Sequence, residues 1–487
     1  MAFLIGGSNS DSGAYQIENS LRFNDDDSPK LAITPGSAGN RKIFTISFWV
    51  KRGNITDQMN IFGTASEGDA LYFASDDKLR FFQNGSASSY LGTNRLFRDP
   101  AAWYHIVVAV DTNQGTAANR VKLYINGSSY GWDASTTYPA EDYEGDINNT
   151  ADAHMIGNAH HNDYFDGYLA DFYFIDGTQY AASTFGETDD NGVWVPINAS
   201  PTFGSNGFLC EFKQTGTGTA SASTIGADTS GNDNHLTSTN LAATDVCTDT
   251  PTNNFATLNP LITPFSQANP TWSEGNCKYV TGTNQPAGVS TMAMENGKWY
   301  WELKKGSTVD NPAFGVVGSG YAEGFGTNSY GDADSTVIQA KKSYHENGDR
   351  IGYSNNGSDV YKNGAAQSYG SFDAIASGDI FMVALDMDNN KIWIGNNGTW
   401  LGSGDPAGGS NEVATLTNNS FYNRAVGSQL AAVDSPAGGD VDWEINFGNP
   451  SFSISSGNAD GNGYGNFEYA VPSGFYALCT KNLAEYG

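Results

Sequence analysis

Residues whose types and spacing could do chemistry fall in a few short stretches of the chain. GDIFMVALDMDNNKIWIGNNGTW, from Gly378 to Trp400, carries Asp386, Asp388 and Asn390 at alternate positions, as the opening of a calcium loop would. HMIGNAHHNDYFDG gathers His154, His160, His161, Asp163 and Asp166, a mixed set of imidazoles and carboxylates. DVDWEINF sets Asp440, Asp442 and Glu444 on one side of a strand, where a glycosidase could keep its acid and its nucleophile. Trp49, Tyr124, Trp132, Tyr173 and Trp393 are aromatic rings that could stack on the apolar faces of sugars while neighbouring amides and carboxylates bond the hydroxyls.

Each stretch can be tested against what its chemistry demands. An EF-hand that starts at Asp386 needs Gly at its sixth position and Glu at its twelfth, but Lys391 and Asn397 stand there. The acidic cluster therefore reads as the turn of a hairpin, because Asp and Asn are turn formers. Calcium prefers oxygen to imidazole, so His160, Asp163 and Asp166 are candidates that make no metal motif, and a polar loop is the simpler reading. Asp25, Asp26 and Asp27 precede Pro29 and read as a solvated turn. HExxH is absent, and nothing places a Ser or Cys nucleophile beside one of the six histidines.

The elements that must position these residues are strands. In FTISFWVKR, Phe44, Ile46, Phe48 and Val50 share one face and Thr45, Ser47, Trp49 and Lys51 the other, the period of two of a half-buried strand. WYHIVVAVD and VKLYING alternate likewise and, joined by TNQGTAANR, form a hairpin. Phe381, Val383, Leu385 and Met387 alternate up to the MDNN turn, and Ile392 and Ile394 return. Both halves thus hold an apolar strand ending in Asp, a polar turn and a strand ending in Asn-Gly. In this scheme Trp49, Tyr124, Tyr173 and Trp393 lie on the non-core side of their strands, and Trp132 lies in the loop SSYGWDAS.

Composition bounds the rest. A chain of 487 residues exceeds one ordinary core. A formal net charge of −29 repels phosphate backbones and anionic lipids, so neither nucleic acid nor a membrane is an expected partner. The 58 glycines and short apolar runs bounded by turn residues predict an all-β protein. Cys210, Cys247, Cys277 and Cys479 have no CxxC spacing and are expected as free thiols. MAFLIGGSNS lacks a basic n-region and an adequate apolar run, so neither Sec export nor a membrane anchor is expected. Residues 215–260, rich in Gly, Ser, Thr, Asn and Asp, predict a long irregular connector.

The first half resembles the laminin-G-like, concanavalin-A-like jelly rolls through FTISFWVKRG, WYHIVVAVD with VKLYING, and MIGNAHHNDYFDGYLADFYFIDG, in that family's order. The second resembles SPRY domains through GKWYWELKK, FGVVGSG, GDRIGYSNNG and GDIFMVALDMDNNKIWIGNNG. Segments such as SPKLAITPGSAGNRKIFTISFWVKR and DTPTNNFATLNPL are similar to virion structural proteins of marine tailed phages. The resemblance implies two antiparallel β-sandwiches, 1–214 and 261–487, in a tail or head fibre or a decoration protein on the particle exterior, synthesised in the host cytoplasm. It implies virion proteins as partners, a homo-oligomer with a trimer expected from fibre symmetry, and a host surface glycan as ligand. No cofactor is required, although laminin-G relatives bind calcium at the sandwich rim. Glucanases of the same fold carry ExDxxE, which this chain lacks, so a non-enzymatic role is expected ahead of a polysaccharide depolymerase. A purely structural decoration or fibre-connecting protein is the alternative.

Overall fold

The computed structural model describes residues 15–55, 57–66, 68–83, 89–160, 163–261, 271–281, 288–306, 312–318, 350–354, 359–362, 365–367, 376–415, 423–429 and 441–487. The chain forms two compact units. The first comprises Asn9–Asn254 with Ser273–Gly275, and the second is built from Phe255–Trp272 and Asn276–Gly487. Among the described residues no helix is long and apolar enough to cross a membrane.

In the first unit one sheet sets Ser128–Tyr130, Val121–Ile125, Tyr104–Asp111, Ile43–Arg52, Gly167–Asp176, Ser20–Phe23 and Val246–Cys247 side by side, with Phe208–Cys210 also on Gly167–Asp176. The other sets Thr237–Thr239, Lys30–Ile33, His154–Ile156, Met59–Thr64, Ala70–Phe73, Lys78–Gln83 and Ser89–Leu96 in order. Every pairing is antiparallel. The alternating faces read from sequence meet between the sheets. Phe44, Ile46, Phe48 and Val50 pack with Ile106, Val108 and Val110 against Phe62, Leu71, Phe73, Leu79 and Phe81. Phe62 lies 5.6 Å from Phe172 and 5.7 Å from Phe174, centroid to centroid.

One bulge controls what Gly167–Asp176 presents. Its register against Ile43–Arg52 shifts between Ala170 and Tyr173, where Asp171 takes a φ of 41°. An unbroken strand would alternate Leu169, Asp171 and Tyr173 on one side. The extra residue instead turns Phe172 and Phe174 into the core with Leu169, and leaves Tyr173 and Ile175 on the outer face.

The expected connector is mostly part of this unit. Residues 215–254 supply Thr237–Thr239 and Val246–Cys247 to the two sheets and Ile225, Leu236 and Leu241 to the core. The first unit therefore extends 40 residues beyond 214, because single apolar side chains spaced along a polar segment find places at the sandwich edges.

The second unit repeats the plan. Lys278–Thr281, Val441–Asn446, Lys298–Lys305, Ile380–Asp386, Lys391–Asn396 and Thr399–Trp400 are neighbours in one sheet. Gly288–Val289, Asn423–Gln429, Pro312–Gly318, Arg350–Ser354, Asp359–Lys362 and Ala365–Gln367 form the other. Trp299, Trp301, Leu303, Phe381, Val383, Leu385, Ile392, Ile394 and Trp443 fill the interior with Phe314 and Val316. Glu302, on the opposite face, is fully buried and accepts from the Tyr300 hydroxyl, the Asn446 amide and the backbone N–H groups of Glu468 and Tyr469. Four donors on one carboxylate pin the segment that covers this face.

Candidate functional site

The hairpin at Asp386 is a turn in fact. Asp386 accepts from Asn389 N and Nδ2, both at 2.9 Å, and pairs with Lys298 Nζ at 2.9 Å. Asp388 accepts from Gly297 N at 2.8 Å, and Asn390 takes a φ of 57°. Both Asp386 oxygens and Asp388 Oδ1 are thus spent on holding the turn, whereas the buried Asn390 Oδ1 has no hydrogen-bond partner among the described residues.

The aromatic candidates are less open than strand alternation suggests. Trp49, Tyr173 and Trp393 do leave the core between the sheets, but a second layer covers them. Trp49 is 6% exposed, Tyr173 4% and Trp393 0%. In the first unit the layer is Tyr180, Phe185, Trp194 and Phe203, with Tyr124 half-buried at its edge. In the second it is Phe467, Phe475 and Cys479, and Trp393 Nε1 donates to Ser410 O at 2.8 Å. Trp132 is half-buried, donating to Val121 O at 3.0 Å. The outer sheet faces at Trp49, Tyr173 and Trp393 are thus interior surfaces, and the expectation of open rings there is corrected.

The first unit's cover is tied by a buried histidine that sequence reading passed over. His105 donates from Nε2 to Ser47 Oγ at 2.9 Å and accepts Trp194 Nε1–H on Nδ1 at 3.0 Å, between the rings of Trp49 and Trp194. Burial alone holds this imidazole down to about 3, so it is neutral.

The HMIGNAHHNDYFDG set does not converge. His154 accepts from Asn148 N at 2.7 Å, and burial holds it down to about 4. Asp163 accepts from Gln58 Nε2 at 2.6 Å, whereas Asp166 is buried and accepts from Asn54 N at 2.9 Å. Burial, then Asp25, pushes the Asp166 carboxyl well above the usual range. His160 is half-buried on the loop between them, and His161 lies outside the described residues. Among the described residues no three His, Cys, Asp or Glu side chains gather as a metal cluster. In DVDWEINF, Asp442 and Glu444 face Lys278 at 3.8 Å and Lys304 at 3.6 Å, and Asp440 lies outside the described residues.

A different rim collects oxygens. Thr64 ends one strand, Asp69 precedes Ala70–Phe73, Gln83 ends Lys78–Gln83, and Asp146 belongs to the acidic loop EDYEGDINN. Antiparallel pairing brings the three strand ends to one edge of the sandwich. Asp69 is fully buried, and its Oδ2 accepts from Asp146 N at 2.9 Å and Ile147 N at 3.1 Å. Its Oδ1 has no hydrogen-bond partner among the described residues, and neither has Thr64 Oγ1 or Gln83 Oε1, all of them buried.

Gly68 leaves the approach clear. A Cβ there would collide with Thr64 Oγ1 and stand 3.0 Å from Asp146 Oδ2, so those two oxygens border the same space. Burial and, after it, the neighbouring Asp146 push the Asp69 carboxyl up to about 7. Tyr143 beside them is pushed up to about 12 by burial, Asp69 and Asp146. Buried oxygens without donors, next to two carboxylates that repel one another, are what a hard cation satisfies. Calcium takes carboxylate, amide and hydroxyl oxygens together, so two carboxylates with Gln83 and Thr64 fit it without a cluster of three. Sequence reading missed this set because its members stand far apart. The one local signal was Gly-Asp immediately before the apolar run ALYF.

Residues 25–182 match the family model of the concanavalin A-like lectin/glucanases superfamily, laminin-G type, which is under half of the chain. No curated protein matches. Among solved structures, the SPRY domain of human HERC1 is similar over 39% of this chain and 96% of its own, at 13% identity and a TM-score of 0.24. A putative carbohydrate binding protein from Bacteroides ovatus is similar over 46% of this chain and 58% of its own, at 14% identity and a TM-score of 0.33. A SAP-like pentraxin from Limulus polyphemus is similar over 34% of this chain and 80% of its own, at 18% identity and a TM-score of 0.25.

Proposed function

We propose that the protein binds carbohydrate without transforming it, at the rim formed by Thr64, Asp69, Gln83 and Asp146, as a component displayed on the exterior of a virus particle. The observation that carries this reading is the set of buried, donorless oxygens at that edge of a concanavalin A-like sandwich. Asp69 Oδ1, Asp146, Thr64 Oγ1 and Gln83 Oε1 would hold a calcium ion. When bound, the ion supplies a positive centre on which sugar hydroxyls can be received. Asp146 and Ile147 donate backbone N–H groups to Asp69 and so fix its free oxygen toward the rim. Arg41 donates to Gly145 O at 2.6 Å and steadies the loop that carries Asp146.

The covered outer faces support a rim site, since the sheet surfaces at Trp49, Tyr173 and Trp393 are closed. Asp442 and Glu444, each facing a lysine, support the non-enzymatic part. The virion setting rests on the segments that resemble phage structural proteins, and the charge of −29 suits a surface that must stay soluble among many copies of itself. Repetition of a weak sugar contact in a homo-oligomer would give firm attachment by avidity. The test is a glycan array probed with the assembled protein in calcium and in a chelator. Binding that needs calcium is expected, and silence in both conditions removes the proposal.

A further inference from the structure

A buried trio in the first unit has the composition of a self-forming cross-link. Lys51 is 1% exposed, Asp249 0% and Asn254 7%. Lys51 Nζ donates to Asp249 Oδ2 at 2.8 Å and to Asn254 Oδ1 at 2.8 Å. Trp103 Nε1 donates to Asp249 Oδ1 at 3.2 Å, so with Lys51 both carboxylate oxygens are held, and Ser20 Oγ donates to the backbone O of Asp249 at 2.6 Å. The Tyr168 ring lies 5.6 Å from the ammonium. An ion pair would need only Lys51 and Asp249. Here the ammonium is also held on the oxygen of a carboxamide whose nitrogen donates to Ala101 O at 2.6 Å. That places the electrophilic Cγ of Asn254 beside the amine.

We propose that Lys51 and Asn254 become joined by an intramolecular amide bond, with Asp249 as the catalytic carboxylate. Asp249 takes a proton from Nζ, and the freed amine attacks Cγ of Asn254. The Nζ–Cγ bond forms and the Cγ–Nδ2 bond breaks. Two protons pass from Nζ through Asp249 to Nδ2, which departs as ammonium, and Asp249 ends as the carboxylate it was. No oxidant or reductant is needed. Burial serves the step by excluding the water that would solvate the ammonium and compete for the carbonyl carbon. No disulfide joins the four cysteines, so this bond would be the covalent brace of the chain, joining residues 203 apart. Reducing conditions would leave it intact.

The test is the intact mass of the purified full chain with a tryptic map. The expected mass is that of the sequence less one ammonia. Cleavage after Lys51 is lost, and a branched peptide carries Lys51 joined to Asn254. Asp249→Asn and Asn254→Ala are expected to restore the full mass and cleavage at Lys51. Wild type at its full sequence mass overturns the proposal. So does an ammonia loss confined to a linear peptide, which is asparagine cyclisation, or a branched peptide that persists in Asp249→Asn. The wild-type map decides the matter even where a variant fails to fold.

Discussion

Acid should loosen the first unit through His105, by an amount that its surroundings set. The imidazole is buried between Trp49 and Trp194 with both nitrogens engaged, and burial holds it down to about 3 from an ordinary 6.5. Its folded value lies below its unfolded one, so it costs nothing above pH 6.5. As pH falls further, the unfolded chain binds a proton that the folded chain refuses. Stability then drops by about 1.4 kcal/mol per pH unit until about pH 3. At pH 5 the loss from this one residue is about 2 kcal/mol. Asp171 works in the opposite sense, since burial pushes its carboxyl up to about 7 and the folded chain holds that proton more tightly. The comparison must therefore be between proteins that share Asp171. Urea unfolding of wild type and His105→Gln at pH 7.5 and pH 5.0, followed by tryptophan emission, isolates the histidine. Wild type should lose about 2 kcal/mol more than the variant over that interval. Identical pH dependence in the two proteins would refute the burial argument.

Two further substitutions test other parts of the structure. Asn126 and Gly127 both take positive φ, 47° and 76°, in the hairpin to Ser128–Tyr130, and a Cβ on Gly127 would stand 2.6 Å from Trp194 Cδ2. Gly127→Ala should cost about 2–4 kcal/mol and expose the layer over Tyr173, read by urea melting and dye binding. Asp386→Ala should lower the stability of the second unit by about 2 kcal/mol, because the Asn389 donors and Lys298 lose their acceptor, yet leave any calcium-induced rise in melting temperature unchanged.

Much of the layering was legible because one-sided burial writes itself as alternation, as in Phe44 to Val50 and Phe381 to Met387. The Asp386 turn was legible because Asp and Asn close turns with their own side chains. Three features were hidden for physical reasons. Trp49, Tyr173 and Trp393 alternate away from the core, and alternation does not tell a solvated outer face from one capped by a later segment. Residues 215–254 hold Ile225, Leu236 and Leu241 singly, with no period to betray two edge strands. The rim draws on Thr64, Asp69, Gln83 and Asp146, and neutral oxygens contributed from separate strand ends leave no motif. The Asp171 bulge shows the same limit, because one extra residue inverts the face that every later side chain of that strand presents.

The sandwich edge at Asp69 is proposed as a cation-bearing recognition site. Calorimetric titration of calcium into metal-stripped protein tests it most directly. One site per chain is predicted for wild type, with a higher melting temperature at saturation, and both should vanish in Asp69→Asn. Absence of binding heat in wild type, or an unchanged isotherm in Asp69→Asn, would contradict it.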